Sequence, residues 1–165
     1  MTLGISLDEL LAWSQEAASF WKRQLEASPA LLELPCDISG TKNLREFIRH
    51  IWGVELRWSQ QIAGLPQLAK EQMPEGPLEE LFALHIQAAQ ILRGLLDDQS
   101  FHWEETTTLH SSWLPPEGLT VSRRKIAAHA LTHSQRHWAQ LATLLRIAGF
   151  PSGFRGDLLL SSALL

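Results

Sequence analysis

Three histidines stand at equal intervals in the segment HALTHSQRHWAQ, as His129, His133 and His137. Residues four apart lie one above the other on an α-helix, so the three imidazoles share one face, which apolar neighbours turn toward the core. One core histidine is usually structural, but burying three without partners would cost roughly 1–3 kcal/mol each. Neutral imidazole nitrogen is a good ligand for zinc, nickel, copper or iron. The spacing therefore indicates a metal site.

A straight line of histidines cannot supply all three ligands to one ion, because its outer members lie about 12 Å apart along the helix axis. Two histidines one turn apart can share an ion, and the periodicity permits either neighbouring pair. The remaining ligand must come from another helix. His50, in the middle of an apolar helical segment, is the first candidate, and His85 is the second. Two further histidines are expected to be solvated loop residues: His102 and His110.

Several sharper catalytic motifs are absent from the sequence. The segment HSQRH is not the H-E-x-x-H motif of zinc proteases, because Ser134 occupies the position of the glutamate base. No Glu-x-x-His pair occurs, which argues against a carboxylate-bridged di-iron bundle. Phosphate-binding, dinucleotide-binding and G-x-S-x-G motifs are also missing. Glu46 lies one turn before His50, but a surface position is expected for it rather than a general-base role.

Four segments with helical periodicity must position these residues. Their approximate bounds are 7–27, 42–63, 77–97 and 123–148. Ser6 and Glu9 form the capping-box pattern S-x-x-E at the start of the first segment. Thr41 is the expected N-cap of the second segment. Four helices of about 20 residues predict an all-α fold, a four-helix bundle.

The segment between the third and fourth helices has a different character. Residues 106–109 and 119–121 favour extended backbone, and the prolines and glycine of 115–118 predict a turn between them. We therefore expect a long crossover with a small β-hairpin before the last helix. The tail after the last helix is expected to pack four apolar side chains against the bundle: Phe150, Phe154, Leu158 and Leu159.

The composition limits the classes of function. The 165 residues are 45% apolar, which suits one packed domain over 1–165. A net charge of −4 gives no support for nucleic-acid binding, and the basic cluster at 123–125 is expected to be a solvated helix end. The only cysteine, Cys36, excludes an intrachain disulfide. Without a signal peptide or an apolar run of membrane-spanning length, a cytoplasmic protein with no membrane partner is expected.

Two helical segments and the tail carry a resemblance to a known family. HALTHSQRHWAQLATLLRIAG resembles the last-helix signature of the DinB-like (DinB/YfiT) superfamily, H-x3-H-x3-H-R-G-Q followed by a leucine-rich run that ends in glycine. LREFIRHIWGVELRWSQQIAG is similar to the family's second helix, in which a histidine precedes an aliphatic–aromatic pair. The tail from Gly149 to the triplet DLL at 157–159 is similar to its C-terminal element. The resemblance covers nearly the whole chain.

The resemblance implies a fold and a metal site. The fold is a four-helix bundle with a long connection, not one of simple up-down-up-down order. The site is one divalent metal ion, zinc or nickel, held by His50, His133 and His137. The resemblance places His129 one turn before His133, either in the wall of the pocket or among the residues that surround the metal ligands. Gln140, one turn after His137, matches the glutamine of the family signature.

The sequence departs from the family signature in the turn after the last histidine. Trp138 and Ala139 stand where Arg-Gly is usual. The departure removes a cation from this turn but leaves the three histidines in place. Any function that depends on that charge is therefore in question, whereas the metal site is not.

The resemblance also implies two kinds of function. Three histidines leave one coordination position open, as in catalytic metal sites. Some relatives are thiol S-transferases or isomerases that use mycothiol, bacillithiol or glutathione, and hydrolysis of a small-molecule substrate by metal-activated water is the other expected chemistry. The alternative is a non-catalytic metal-binding bundle that serves stress response or ligand sensing. Family habit and the excess of tryptophan and leucine predict a homodimer.

Overall fold

The computed structural model describes residues 4–110 and 114–163. Four α-helices contain most of these residues, and a two-stranded antiparallel sheet precedes the last helix. The helices are α1 (Leu7–Ala27), α2 (Leu44–Ile62), α3 (Leu78–Asp97) and α4 (Arg123–Ile147), and the strands are β1 (Thr106–Leu109) and β2 (Leu119–Ser122). The predicted bundle with a small hairpin is confirmed. Within the described residues, no helix combines the length and the apolar character needed to cross a membrane.

Three of the four helices, α1, α2 and α4, begin where a side chain accepts an unpaired N–H group of the first turn. Ser6 and Glu9 form the predicted capping box of α1, with the Glu9 N–H donating to Ser6 Oγ at 3.2 Å. The predicted N-cap of α2 is wrong, because Asn43 Oδ1, not Thr41, accepts the N–H three residues later, at 2.9 Å. The Thr41 hydroxyl donates instead to the Ile38 carbonyl at 2.7 Å. As a result, α2 begins two residues later than predicted.

Two pairs of consecutive helices, α1 with α2 and α3 with α4, are not direct neighbours in this bundle. α2 packs against both α3 and α4, and α1 packs against the same two helices. α1 and α2 therefore lie on one diagonal of the bundle, and α3 and α4 lie on the other. A short 3-10 helix, Pro29–Glu33, contacts both α1 and α2 and connects them. This arrangement differs from a simple up-down-up-down bundle, as expected.

Three tryptophans from three helices meet in the core. Trp21 of α1, Trp52 of α2 and Trp138 of α4 are each 0% exposed. Trp138 stacks on Trp21 with ring centroids 5.9 Å apart, and it meets Trp52 edge-on at 5.8 Å. These contacts fix the rotation of α4 about its own axis. Because Trp138 directly follows His137, the same packing also sets the direction in which His137 points.

The hairpin packs its inward-facing residues on the bundle. β1 and β2 pair with Thr107 opposite Val121 and Leu109 opposite Leu119. Leu109 and Val121 are buried in an apolar cluster that includes residues of α1 and α4. Gly118, in the predicted turn, has a φ of 83°, and a Cβ added there would lie 2.8 Å from the Leu109 carbonyl oxygen. Only glycine fits this close approach of the two strands.

The tail packs less of its apolar surface than the sequence predicts. Phe154 reaches the core, with its ring centroid 5.3 Å from that of Phe20 and 4.9 Å from that of Trp21. Phe150 is 51% exposed and Leu159 is 94% exposed, so the prediction for these two residues is wrong. From 151 to 157 the exposed and half-buried residues alternate along a non-helical chain. An extended chain turns only every second side chain toward the bundle.

Candidate metal centre

Three histidines from two helices converge on one point. His50 of α2 and His133 and His137 of α4 each offer a ring nitrogen, and these nitrogens all lie within 4.8 Å of one another. The set is the one that the family resemblance implies. Periodicity alone left the choice between two pairs on α4 open, and the structure brings His50 to the later pair.

The packing of α2 on α4 creates this convergence. His133 and His137 lie one turn apart on α4, and their Nε2 atoms are 3.0 Å from each other. The ring centroid of His50 is 5.4 Å from that of His133 and 5.1 Å from that of His137. Two nitrogens bound to one tetrahedral zinc ion at roughly 2.0–2.1 Å would stand about 3.3 Å apart. The distance between the two Nε2 atoms is therefore close to that of a shared ion.

Gln140 orients the ring of His137. Its Oε1 lies 2.6 Å from His137 Nδ1, one turn further along α4. An amide oxygen can only accept a hydrogen bond, so Nδ1 carries the proton and Nε2 keeps its lone pair. Metal-binding histidines commonly fix their tautomer in this way. Gln140 therefore stands beside the cluster, where the resemblance places it.

The electrostatics of the cluster suit a cation. Burial, with the neighbouring histidines and Arg136, lowers the pKa of His50 to about 4 and that of His133 to about 3. Burial also lowers the pKa of His137, although the hydrogen bond that its ring donates to Gln140 acts in the opposite direction. All three rings are therefore neutral at neutral pH and offer lone pairs without competition from protons. His50 Nε2 is buried without a hydrogen-bond partner among the described residues, and a bound ion would give this nitrogen a partner.

His129 occupies the third position of the line but lies outside the cluster. It is exposed, and its ring centroid is 5.8 Å from that of His133 and 6.0 Å from that of Trp58. The face of α4 that carries the three histidines is predicted to enter the core, but only part of it does. Burial increases along this face from His129 through His133 to His137. His129 lines the cavity described below.

The turn after His137 carries no cationic side chain, but a positive charge lies on the other side of that histidine. Trp138, which replaces the family's arginine, is buried in the tryptophan core and does not face the site. Arg136, on the other side of His137, places its Nη2 atom 3.4 Å from His137 Nε2. The departure from the family signature thus removes a cation after His137, while Arg136 keeps a positive charge close to the ring. The arginine stands one residue before the histidine instead of one residue after it.

His85, the second candidate ligand in the sequence, has a different partner. Its Nδ1 lies 2.8 Å from Glu55 Oε2, and the hydroxyl of Ser14 donates to the other oxygen of Glu55 at 2.9 Å. All three side chains are 1% exposed. They link α1, α2 and α3 in the core, apart from the cluster on α2 and α4. The prediction of His85 as an alternative ligand is wrong.

Glu46 also serves the fold. Its carboxylate accepts the backbone N–H of Lys42 at 2.9 Å, just before the start of α2. Glu46 therefore belongs to the helix terminus, in keeping with the expectation that it is not a general base.

A cavity of about 640 Å³ adjoins the histidine cluster. This volume is within the range of small-molecule sites, roughly 300–1,000 Å³. α2 and α4 form two of its walls, and β1 with the residue after it forms a third. The lining residues most relevant to chemistry are His50, Arg57, Trp58, His129, His133 and Arg136.

Sequence reasoning missed several of these lining residues. Arg57 lies seven residues after His50, two helical turns away on the same face, so the helical period could have identified it. Arg136 lies three residues after His133, on the same side of α4, and could have been found in the same way. His110 is exposed, as predicted for a loop histidine, but it also lines the cavity. No local signal predicts that role, because it depends on where the hairpin lies.

Comparison with known proteins places this geometry in a family context. A search of curated proteins found no match. The chain matches the DinB family over residues 3–154, which include all four helices, the hairpin and the three converging histidines. The match, the bundle and the histidine cluster agree with the resemblance seen in the sequence. This chain belongs to the DinB family.

Proposed function

We propose that this protein is a metal-dependent enzyme that joins a low-molecular-weight thiol to a small electrophilic substrate. The observation that carries the proposal is the convergence of three imidazoles beside a cavity of small-molecule size. Three protein ligands leave one position open, which distinguishes catalytic from structural metal sites. A divalent metal at this position supplies a thiolate nucleophile at neutral pH by lowering the pKa of the thiol.

The residues of the site have separate tasks in this proposal. His50, His133 and His137 hold the metal, zinc or nickel, and Gln140 keeps His137 in the tautomer that presents Nε2. His129 lines the cavity without being needed as a ligand, and it can accept the proton that the thiol gives up. Trp58 offers an apolar wall to the substrate.

The cavity favours thiol transfer over hydrolysis. Among its described lining residues there is no aspartate or glutamate. Zinc hydrolases of the H-E-x-x-H type use a carboxylate as general base for the attacking water, whereas a thiol bound to a metal is deprotonated without one. A non-catalytic metal-binding bundle that senses a ligand remains the alternative, and turnover distinguishes the two functions.

The proposed function predicts metal-dependent consumption of a thiol. We expect elemental analysis of the purified protein to find about one divalent metal ion per chain. Incubation with a reactive alkyl halide and either glutathione, bacillithiol or mycothiol should give the thioether and free halide, measured by mass spectrometry and ion chromatography. A chelator should stop the reaction, and the metal should restore it. Full metal content without turnover of any thiol would favour the sensing alternative over the enzyme.

We also propose that the protein is a homodimer. Eight large apolar side chains are exposed among the described residues, and half of them lie between 147 and 160: Ile147, Phe150, Leu159 and Leu160. Such a concentration of apolar surface is typical of contact sites. Replacing Ile147, which is 75% exposed, with glutamate should convert a dimer to a monomer in sedimentation velocity. The matched control is Ile86→Glu on α3, and a wild-type monomer at high micromolar concentration would contradict the proposal.

A further inference from the structure

Two arginines line the cavity without a carboxylate partner. Five other arginines have a carboxylate oxygen within 4.0 Å: Arg45, Arg49, Arg93, Arg123 and Arg124. In the part of the chain that the structure describes, Arg57 and Arg136 have none. Three more arginines also lack such a partner, but unlike Arg57 and Arg136 they do not line the cavity: Arg23, Arg146 and Arg155. The two unpaired charges at the cavity therefore coincide with the candidate reaction site.

Arg57 has unused hydrogen-bonding capacity. Its Nε atom is buried with no partner among the described residues, and its Nη2 atom makes only a long contact of 3.4 Å with Gln67 Oε1. A buried donor without a partner costs roughly 1–3 kcal/mol. The edge formed by Nε and Nη2 is a planar fork that matches the two oxygens of a carboxylate.

Arg136 adds a second positive charge close to the histidines. Its Nη2 atom lies 3.4 Å from His137 Nε2. A divalent ion held by the three neutral imidazoles would bring two more positive charges to the same place. Since no carboxylate lines the described part of the cavity, a bound anion would meet this positive charge without competition from an acidic side chain.

We propose that the cavity binds a small organic carboxylate, whose charged group contacts Arg57 and Arg136 and whose apolar body lies against Trp58. This proposal rests on the proposed function, because it places the reactive end of that molecule at the histidine cluster. The apolar side chains of Val54, Trp58 and Leu109 beside the two arginines favour an amphipathic acid over inorganic phosphate. The carboxylate belongs either to the thiol or to the electrophile.

Calorimetric titration with a matched pair of ligands tests the proposal. We expect 3-phenylpropionate to bind, and the uncharged 3-phenylpropanamide to bind at least tenfold more weakly, because charge-assisted hydrogen bonds contribute roughly 1.5–3 kcal/mol. Arg57→Gln and Arg136→Gln should each weaken 3-phenylpropionate about tenfold. Arg146→Gln, which changes an exposed arginine outside the cavity, should leave the affinity unchanged. Equal binding of the two ligands, unchanged affinity in both cavity variants, or tighter binding of inorganic phosphate would overturn the proposal.

The same titrations separate this inference from the metal site. Metal-free protein should still bind 3-phenylpropionate, and each arginine variant should keep the metal content of the wild type. A protein that takes up no metal but binds the acid through Arg57 would thus refute the proposed function and leave the anion site standing. Titration of 3-mercaptopropionate then identifies the source of the carboxylate. If the thiol and the carboxylate belong to one molecule, metal loading should raise the affinity for 3-mercaptopropionate. If the electrophile carries the carboxylate, the metal-loaded protein should bind 3-mercaptopropionate and propionate with equal affinity.

Discussion

Replacing His137 with alanine is expected to abolish stoichiometric metal binding. The substitution removes one of three converging nitrogens and the ring that Gln140 orients. Two imidazoles from different helices, His50 and His133, would remain, too few for a site with three protein ligands. The measurement is metal content after dialysis against a defined concentration of zinc or nickel, together with the far-ultraviolet circular dichroism that reports the helical fold.

The control for this experiment lies one turn before the cluster, on the same helix. His129→Ala should keep about one metal ion per chain, because its ring stands outside the group of three. The His129→Ala substitution should instead change the rate of turnover. Loss of metal in the His129 variant but not in the His137 variant would mean that the other pair on α4 binds the ion. Full metal content in both variants would make the histidines a structural feature.

Replacing Glu55 with alanine is expected to lower the free energy of unfolding by roughly 3 kcal/mol or more. The change leaves the Ser14 hydroxyl and His85 Nδ1 without their acceptor, and each buried polar group without a partner costs roughly 1–3 kcal/mol. It also leaves a cavity where the side chain was. The three residues connect three helices, so the loss should appear in the global unfolding transition.

Urea unfolding followed by circular dichroism measures this difference. Glu33→Ala is a suitable control, because Glu33 also has a side-chain partner, Arg45, but is 63% exposed. The exposed pair should contribute less than about 1 kcal/mol. Metal content should be the same in both variants, since neither residue belongs to the histidine cluster. A similar small loss for Glu55 and Glu33 would show that the buried network is not important for stability.

The helices and the hairpin could be predicted because their signals are local. The capping box of Ser6 and Glu9 and the turn at Gly118 require only a few neighbouring residues. The start of α2 was misplaced because Thr41 and Asn43 can both cap a helix. The Thr41 hydroxyl donates a hydrogen bond to the Ile38 carbonyl, so Asn43 is the residue that caps the helix.

The candidate site could be predicted only in part. Helical periodicity placed three histidines on one face, but the family resemblance was needed to choose His133 with His137 and to add His50. Glu55 was visible as an acidic residue on α2, yet nothing local indicates that it meets His85 of α3 in the core. The partner of a buried polar group is set by how the helices pack, and the pattern of a single helix does not show which residue of its neighbour it will meet.

The walls of the cavity are built from two different kinds of structure. The histidines stand on long helices, one of them locked by the tryptophan core, whereas the third wall is a two-stranded hairpin. Substitutions in the hairpin can therefore alter the shape and polarity of the cavity without moving the helices that carry His50, His133 and His137. In evolution or in the laboratory, such a chain can acquire new substrates through a surface hairpin while the residues that hold the reactive centre stay constant.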